Sequence, residues 1–116
     1  MNKAVLIDPY EGKISDVVVN DYKDISKHLQ CSIFSGAGYT EDGDSIYVND
    51  EGLYDEHMFV DMPDYLPYPY PLAGRVLILG LDHNSGESTD AFLSAEDIAD
   101  IDHAFRDRLY MVANYG

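Results

Sequence analysis

Seven residues, Arg75–Leu81 (RVLILGL), constrain the fold more than any others in this chain. A strand points successive side chains to opposite faces. In extended form this run therefore places long or branched aliphatic groups on both faces. Such a strand belongs in the middle of a sheet, covered above and below. The run is also the length of a strand and short for a helix. The rest of the chain must supply flanking strands and two layers of cover.

The flanking strands are legible as alternating or β-branched runs bounded by turn residues. Lys3–Asp8 and Ile14–Val19 read as strands joined through Pro9-Tyr10-Glu11-Gly12, a hairpin. Asp21 is placed to cap a short helix over Tyr22–Leu29, with Tyr22, Ile25 and Leu29 on one side. Ser32–Phe34 and Ser45–Asn49 read as strands. Gly36-Ala37-Gly38 between them reads as a bulge or tight turn, and Glu41-Asp42-Gly43 as a turn. Asp50-Glu51-Gly52 turns the chain again, and His57–Asp61 is a short strand. Four prolines from Pro63 to Pro71 exclude regular helix or a central strand there. Asp82–Asp90 is a polar loop. Ser94, with Asp97 three residues on, predicts the start of a long C-terminal helix that carries Ile98, Ile101, Phe105, Leu109 and Val112 inward.

These elements predict an α+β fold: a mainly antiparallel sheet of five to six strands, with the C-terminal helix and the short helix packed on one face. The chain has 116 residues and shows no linker or repeat, so 1–116 is read as a single domain. The first apolar run, Ala4–Ile7, is too short for a secretory segment, and no stretch is long enough to span a membrane. Cys31 is the only cysteine, so an internal disulfide is impossible, and a reducing cytoplasm fits.

Charge is the second constraint, and it bears on partners more than on fold. The chain holds 22 acidic residues against 7 lysines and arginines, a net charge of −15. From Leu29 through Phe105 Arg75 is the only lysine or arginine, against 16 carboxylates. Such a surface repels nucleic acid and anionic membranes and attracts basic proteins.

Three segments resemble one known family. They are the opening strand with Asp8-Pro9, the stretch Asp42–Gly52 with its Tyr47-Val48 and Asp50-Glu51-Gly52, and above all Pro71–Gly80 (PLAGRVLILG). The family is one of small domains of unknown function, common in phage, plasmid and other mobile-element genomes. The similarity covers roughly residues 3–105. It implies a mobile-element origin, a host-cytoplasm location and an α+β fold, and carries no catalytic residue with it. The Tyr-Pro segment before Pro71 and the C-terminal stretch depart from the family pattern.

Several chemistries lack support in the sequence. Asp82-His83-Asn84-Ser85-Gly86 alternates oxygen donors like half a calcium loop, but the glycine and the closing glutamate are misplaced. Asp55-Glu56-His57 is a metal motif of the same weak grade. Ser35-Gly36-Ala37-Gly38 runs into Glu41 and Asp42, whose charge opposes phosphate binding. No nucleophile–base pattern is present, and surrounding acids raise the pKa of the Cys31 thiol. No cofactor and no enzymatic activity are expected.

The expectation is a binding protein whose carboxylates dock on a basic, nucleic-acid-handling host protein and block it, in the manner of an anti-restriction or anti-CRISPR protein or a DNA mimic. The expected contacts are Glu41, Asp42, Asp44, Asp50, Glu51, Asp55, Glu56, Asp61 and Asp64, with Glu96, Asp100 and Asp107 on the last helix. Tyr65, Tyr68 and Tyr70 are the expected aromatic anchors, since tyrosine supplies contact area at low entropic cost. The alternative is an accessory protein that binds a small molecule or divalent cation near Asp82–Asp90 or Asp55–His57. A self-associating accessory protein is a third reading.

Overall fold

The computed structural model describes residues 1–62, 71–98 and 105–107. Strand β1 (Asn2–Asp8) and strand β2 (Lys13–Val19) form the predicted hairpin, paired from Asn2↔Val19 to Asp8↔Lys13. Helix α1 (Tyr22–Leu29) follows, capped by the Asp21 carboxylate, which accepts the N–H groups of Lys23 and Asp24. β3 (Phe34–Tyr39) and β4 (Ser45–Asn49) form a second hairpin, with a register shift between Gly36 and Gly38. The glycine stretch is therefore a bulge inside a strand, and β3 begins at Phe34 where Ser32–Phe34 had been expected. A single-turn helix α2 (Gly52–Asp55) leads to β5 (Met58–Val60), β6 (Leu72–Ala73) and β7 (Val76–Leu81). β8 (Ser88–Thr89) and β9 (Phe105–Asp107) complete the strands.

β7 occupies the centre of the main sheet, whose order is β2-β1-β7-β4-β3, with β8 also paired to β7. All pairings are antiparallel. Ile78 lies opposite Val5 of β1 on one side and Ile46 of β4 on the other. The two faces of β7 enter two separate cores. Val76 and Ile78 join Val5, Ile7, Ile46, Val60, Met62 and Leu72. Leu77 and Leu79 join Ala4, Val19, Ile25 and Leu29 beneath α1. The double cover demanded by the RVLILGL run is thus a helix on one face and a small antiparallel sheet, β6-β5-β9, on the other.

Two expectations are corrected here. The long C-terminal helix does not form over its described residues. Ser94 and Asp97 make the predicted reciprocal cap, but it closes only one 3₁₀ turn, Ala95–Asp97. Phe105–Asp107 is a strand, pairing Phe105 with Val60 and Arg106 with Phe59. Helical spacing of apolar residues lost to tertiary demand: β5 needs a partner on its second side, and Phe105 meets the core in that role. The expected helix residues 99–104 and 108–116 lie outside the described residues. Second, the Asp82–Asp90 loop is partly ordered into a hairpin, with Gly80 opposite Thr89. A side chain at Gly80 would overlap the Asp90 carbonyl, so only glycine lets the β8 segment fold back there.

Candidate binding surface

At one end of the main sheet the β1–β2 turn, α2 and the entry to β7 meet. Arg75 Nε donates to Asp8 Oδ2 at 3.1 Å, and its guanidinium lies 4.6 Å over the Tyr10 ring. The Tyr10 hydroxyl donates to Glu56 Oε1 at 2.9 Å and accepts the His57 N–H at 3.2 Å. Burial is the main cause that raises the Tyr10 phenol above its ordinary value of 10.0, and bonding to the Glu56 carboxylate adds to it. Gly74, at φ +79°, lies so close that a Cβ there would sit 2.7 Å from the Glu56 side chain. Gly52 packs closely on Ala73, where a Cβ would meet the Ala73 methyl at 3.0 Å. These residues form a structural clasp that ties the β1–β2 turn, α2 and the entry to β7 together.

That clasp changes the surface charge. Arg75 is spent on Asp8 inside the molecule and gives little positive relief outside. Glu56, expected as an exposed contact, is instead buried in the clasp. Asp44 is corrected likewise. It is 4% exposed, and its carboxylate accepts the N–H groups of Phe92 (2.9 and 3.0 Å) and Leu93 (3.1 Å). A charged acceptor in that place satisfies backbone donors that the strand ladder leaves over.

Five of the other expected acids fall at the two ends of the β3–β4 hairpin. Glu41 and Asp42 are exposed in the turn that joins the two strands, while Asp50, Glu51 and Asp55 are exposed beyond the far end of β4. Asp61 is half-buried, and Glu96 and Asp107 are exposed away from this hairpin. Asp64, Tyr65, Tyr68, Tyr70 and Asp100 lie outside the described residues.

All four lysines lie outside β3, β4 and the turns at their ends. Lys3 and Lys13 belong to β1 and β2. Lys27 of α1 borders a groove with Val18 and Asn20, and Lys23 precedes it by one helical turn. Four strand spacings of about 4.8 Å separate the two sheet edges by roughly 19 Å. The β2 edge strand is mixed in sign, whereas β3, β4 and the turns at their ends carry carboxylates with no lysine or arginine.

Apolar groups break the surface on this acidic side. Tyr54 is 88% exposed, Leu53 70%, Ile33 57% and Tyr39 53%. A groove of about 390 Å³ runs between α2 and β6, lined by Val48, Leu53, Pro71, Leu72 and Ala73, with Asp50 at its side. The sequence reading missed Leu53 and Tyr54. Their signal is an apolar pair between Glu51 and Asp55 in an element too short to bury it.

Chemistry at the remaining polar groups is modest. Asp82 Oδ1 accepts the Asn84 N–H at 2.9 Å, and the loop's own N–H groups hold its carboxyl below the usual 3.8. Among the described residues no three His, Cys, Asp or Glu side chains converge as metal ligands. Burial, followed by the charges of Glu56 and Asp55, pushes the Cys31 thiol up, away from the reactive thiolate. No helix among the described residues is long and apolar enough to cross a membrane.

A family model described as a domain of unknown function (DUF3846) matches residues 1–106. No curated protein and no solved structure matches the chain.

Proposed function

The chain belongs to the DUF3846 family of domains of unknown function, and from that footing we propose that it is a non-enzymatic acidic binding protein of a phage or related mobile element. It docks on a basic, nucleic-acid-handling protein of the host cytoplasm and blocks it. The observation that carries this reading is the gathering of exposed carboxylates at the two ends of the β3–β4 hairpin, Glu41 and Asp42 at one and Asp50, Glu51 and Asp55 at the other, with no lysine or arginine in either strand. Leu53, Tyr54, Ile33 and Tyr39 lie among those carboxylates, and aromatic and aliphatic anchors within a polar surround are the composition of a protein interface. The acids gather at the two ends of β3 and β4, whereas duplex DNA carries a charge every 1.7 Å or so of its axis. The arrangement therefore favours a protein-docking surface over a close copy of the duplex.

The test is competition. A basic DNA-binding protein captured from host lysate at physiological salt, where the Debye length is about 8 Å, should be released by added duplex DNA and held progressively less as salt is raised further. The joint variant Glu41→Gln, Asp42→Asn, Asp50→Asn, Glu51→Gln, Asp55→Asn should capture none. A partner held equally by this variant, or indifferent to DNA, refutes the reading.

A further inference from the structure

We infer that β3 is a docking edge, to which the basic partner adds an extended segment as one more antiparallel or parallel strand; this rests on the acidic-docking reading above and specifies its geometry. Among the described residues, β3 ends the sheet order and pairs with β4 alone. An edge strand leaves every second pair of backbone N–H and C=O groups unbonded, and proteins usually defend such edges with charge, proline or brevity. The other edge of this sheet follows that rule, since β2 carries Lys13 and Asp16. The small sheet follows it too, with edge strands of two and three residues. β3 has six residues, FSGAGY, with no charge and no proline, and only the Gly36–Gly38 bulge disturbs it.

The ladder fixes which groups are on offer. Asp50 N–H donates to the Ile33 carbonyl at 2.9 Å, so Ile33 and Asp50 are a hydrogen-bonded pair. Antiparallel pairs alternate. Ser35 therefore bonds inward to Val48, while Phe34 and Gly36, opposite Asn49 and Tyr47, turn their N–H and C=O groups outward. Beyond the bulge, Thr40 N–H donates to the Asp44 carbonyl at 2.9 Å, which leaves Tyr39 outward as well.

Charge selects the occupant. Asp50 and Glu51 stand at the start of this edge and Glu41 and Asp42 at its end, about 20 Å apart for six residues of strand. A second copy of the chain is excluded, since either orientation of β3 on β3 opposes carboxylates to carboxylates. The complement is an extended segment with lysine or arginine at both ends, about six residues apart, and β-branched residues between.

The test uses the peptide Lys-Lys-Val-Thr-Val-Thr-Val-Lys-Lys and a glutamate-ended counterpart, with backbone amide exchange as readout. The basic peptide should slow exchange at Phe34, Gly36 and Tyr39, and the acidic one should not. Gly36→Pro removes an outward donor without breaking the β3–β4 ladder, and a Cβ at Gly36 meets nothing within 4 Å. It should weaken binding about tenfold, with Gly36→Ala unchanged. Salt-sensitive binding that protects none of these amides overturns strand addition while leaving acidic docking intact. Equal protection by the glutamate-ended peptide overturns the selection by charge, and with it the acidic-docking reading. The wild-type exchange pattern stands whether or not Gly36→Pro folds.

Discussion

Carboxylates that look alike in the sequence do opposite work in the fold. Asp44 and Glu56 stand among the nine acids of Glu41–Asp64, yet one caps Phe92 and Leu93 and the other supports Tyr10. Their partners lie 46 to 49 positions away, so no local pattern marks them as internal. Gly74 gives the sharpest test of the clasp. Gly74→Ala should cost roughly 1–3 kcal/mol, from a positive φ and the collision with Glu56. Glu56→Ala should itself cost about 1–2 kcal/mol by unpairing the Tyr10 hydroxyl. The double variant should lose less than the sum, because the collision is gone, and denaturant titration of the four proteins measures the difference. The Tyr10 phenol supplies a pH signature. Its proton is held more tightly folded than unfolded, so its contribution is whole below pH 10.0 and fades as pH rises through the higher folded value. Asp24 and Asp82, both lowered, chiefly by backbone N–H groups, act at the other limit. Their contribution is whole above 3.8 and is lost as pH falls through their lower folded values. Melting curves across pH should show both flanks, and Tyr10→Phe should remove its part of the alkaline one.

At the scale of elements, legibility followed locality. β7 was readable because apolar residues on both faces have one structural solution. The hairpin β1–β2, the capped α1 and the glycine bulge were readable because their signals lie within a few residues of where they act. β9 was not, because the vacancy beside β5 that it fills is created by chain more than forty residues earlier. The Ser94–Asp97 cap shows that a correct start signal does not set a helix's length. The contrast between Ile78 and Leu53 tests the division between core and contact. Ile78→Ala should cost about 2–5 kcal/mol in chemical denaturation, since Ile78 is wholly buried between β1 and β4. Leu53→Ala, at a 70% exposed position, should change stability by no more than about 0.5 kcal/mol while weakening partner capture.

For the molecule as a whole, −15 is a mechanical load as well as a recognition feature. Like charges crowd around β3 and β4 with Arg75 withdrawn into its pair with Asp8, so compaction works against their repulsion. Moderate NaCl should therefore raise the melting temperature, and a flat or falling curve would show that the acids are too far apart to matter. Composition made the excess legible; its gathering at the two ends of β3 and β4 needed the strand pairing, which composition does not encode. That order has a consequence in time. The two local hairpins, β1–β2 and β3–β4, share no ladder, and the strand that joins them is made late. On the ribosome both must wait, each with one open side, until Val76–Leu81 emerges to slot between them. The nascent chain is thus most vulnerable to misassembly in that interval, and its own negative charge is what keeps neighbouring chains apart until the seam closes.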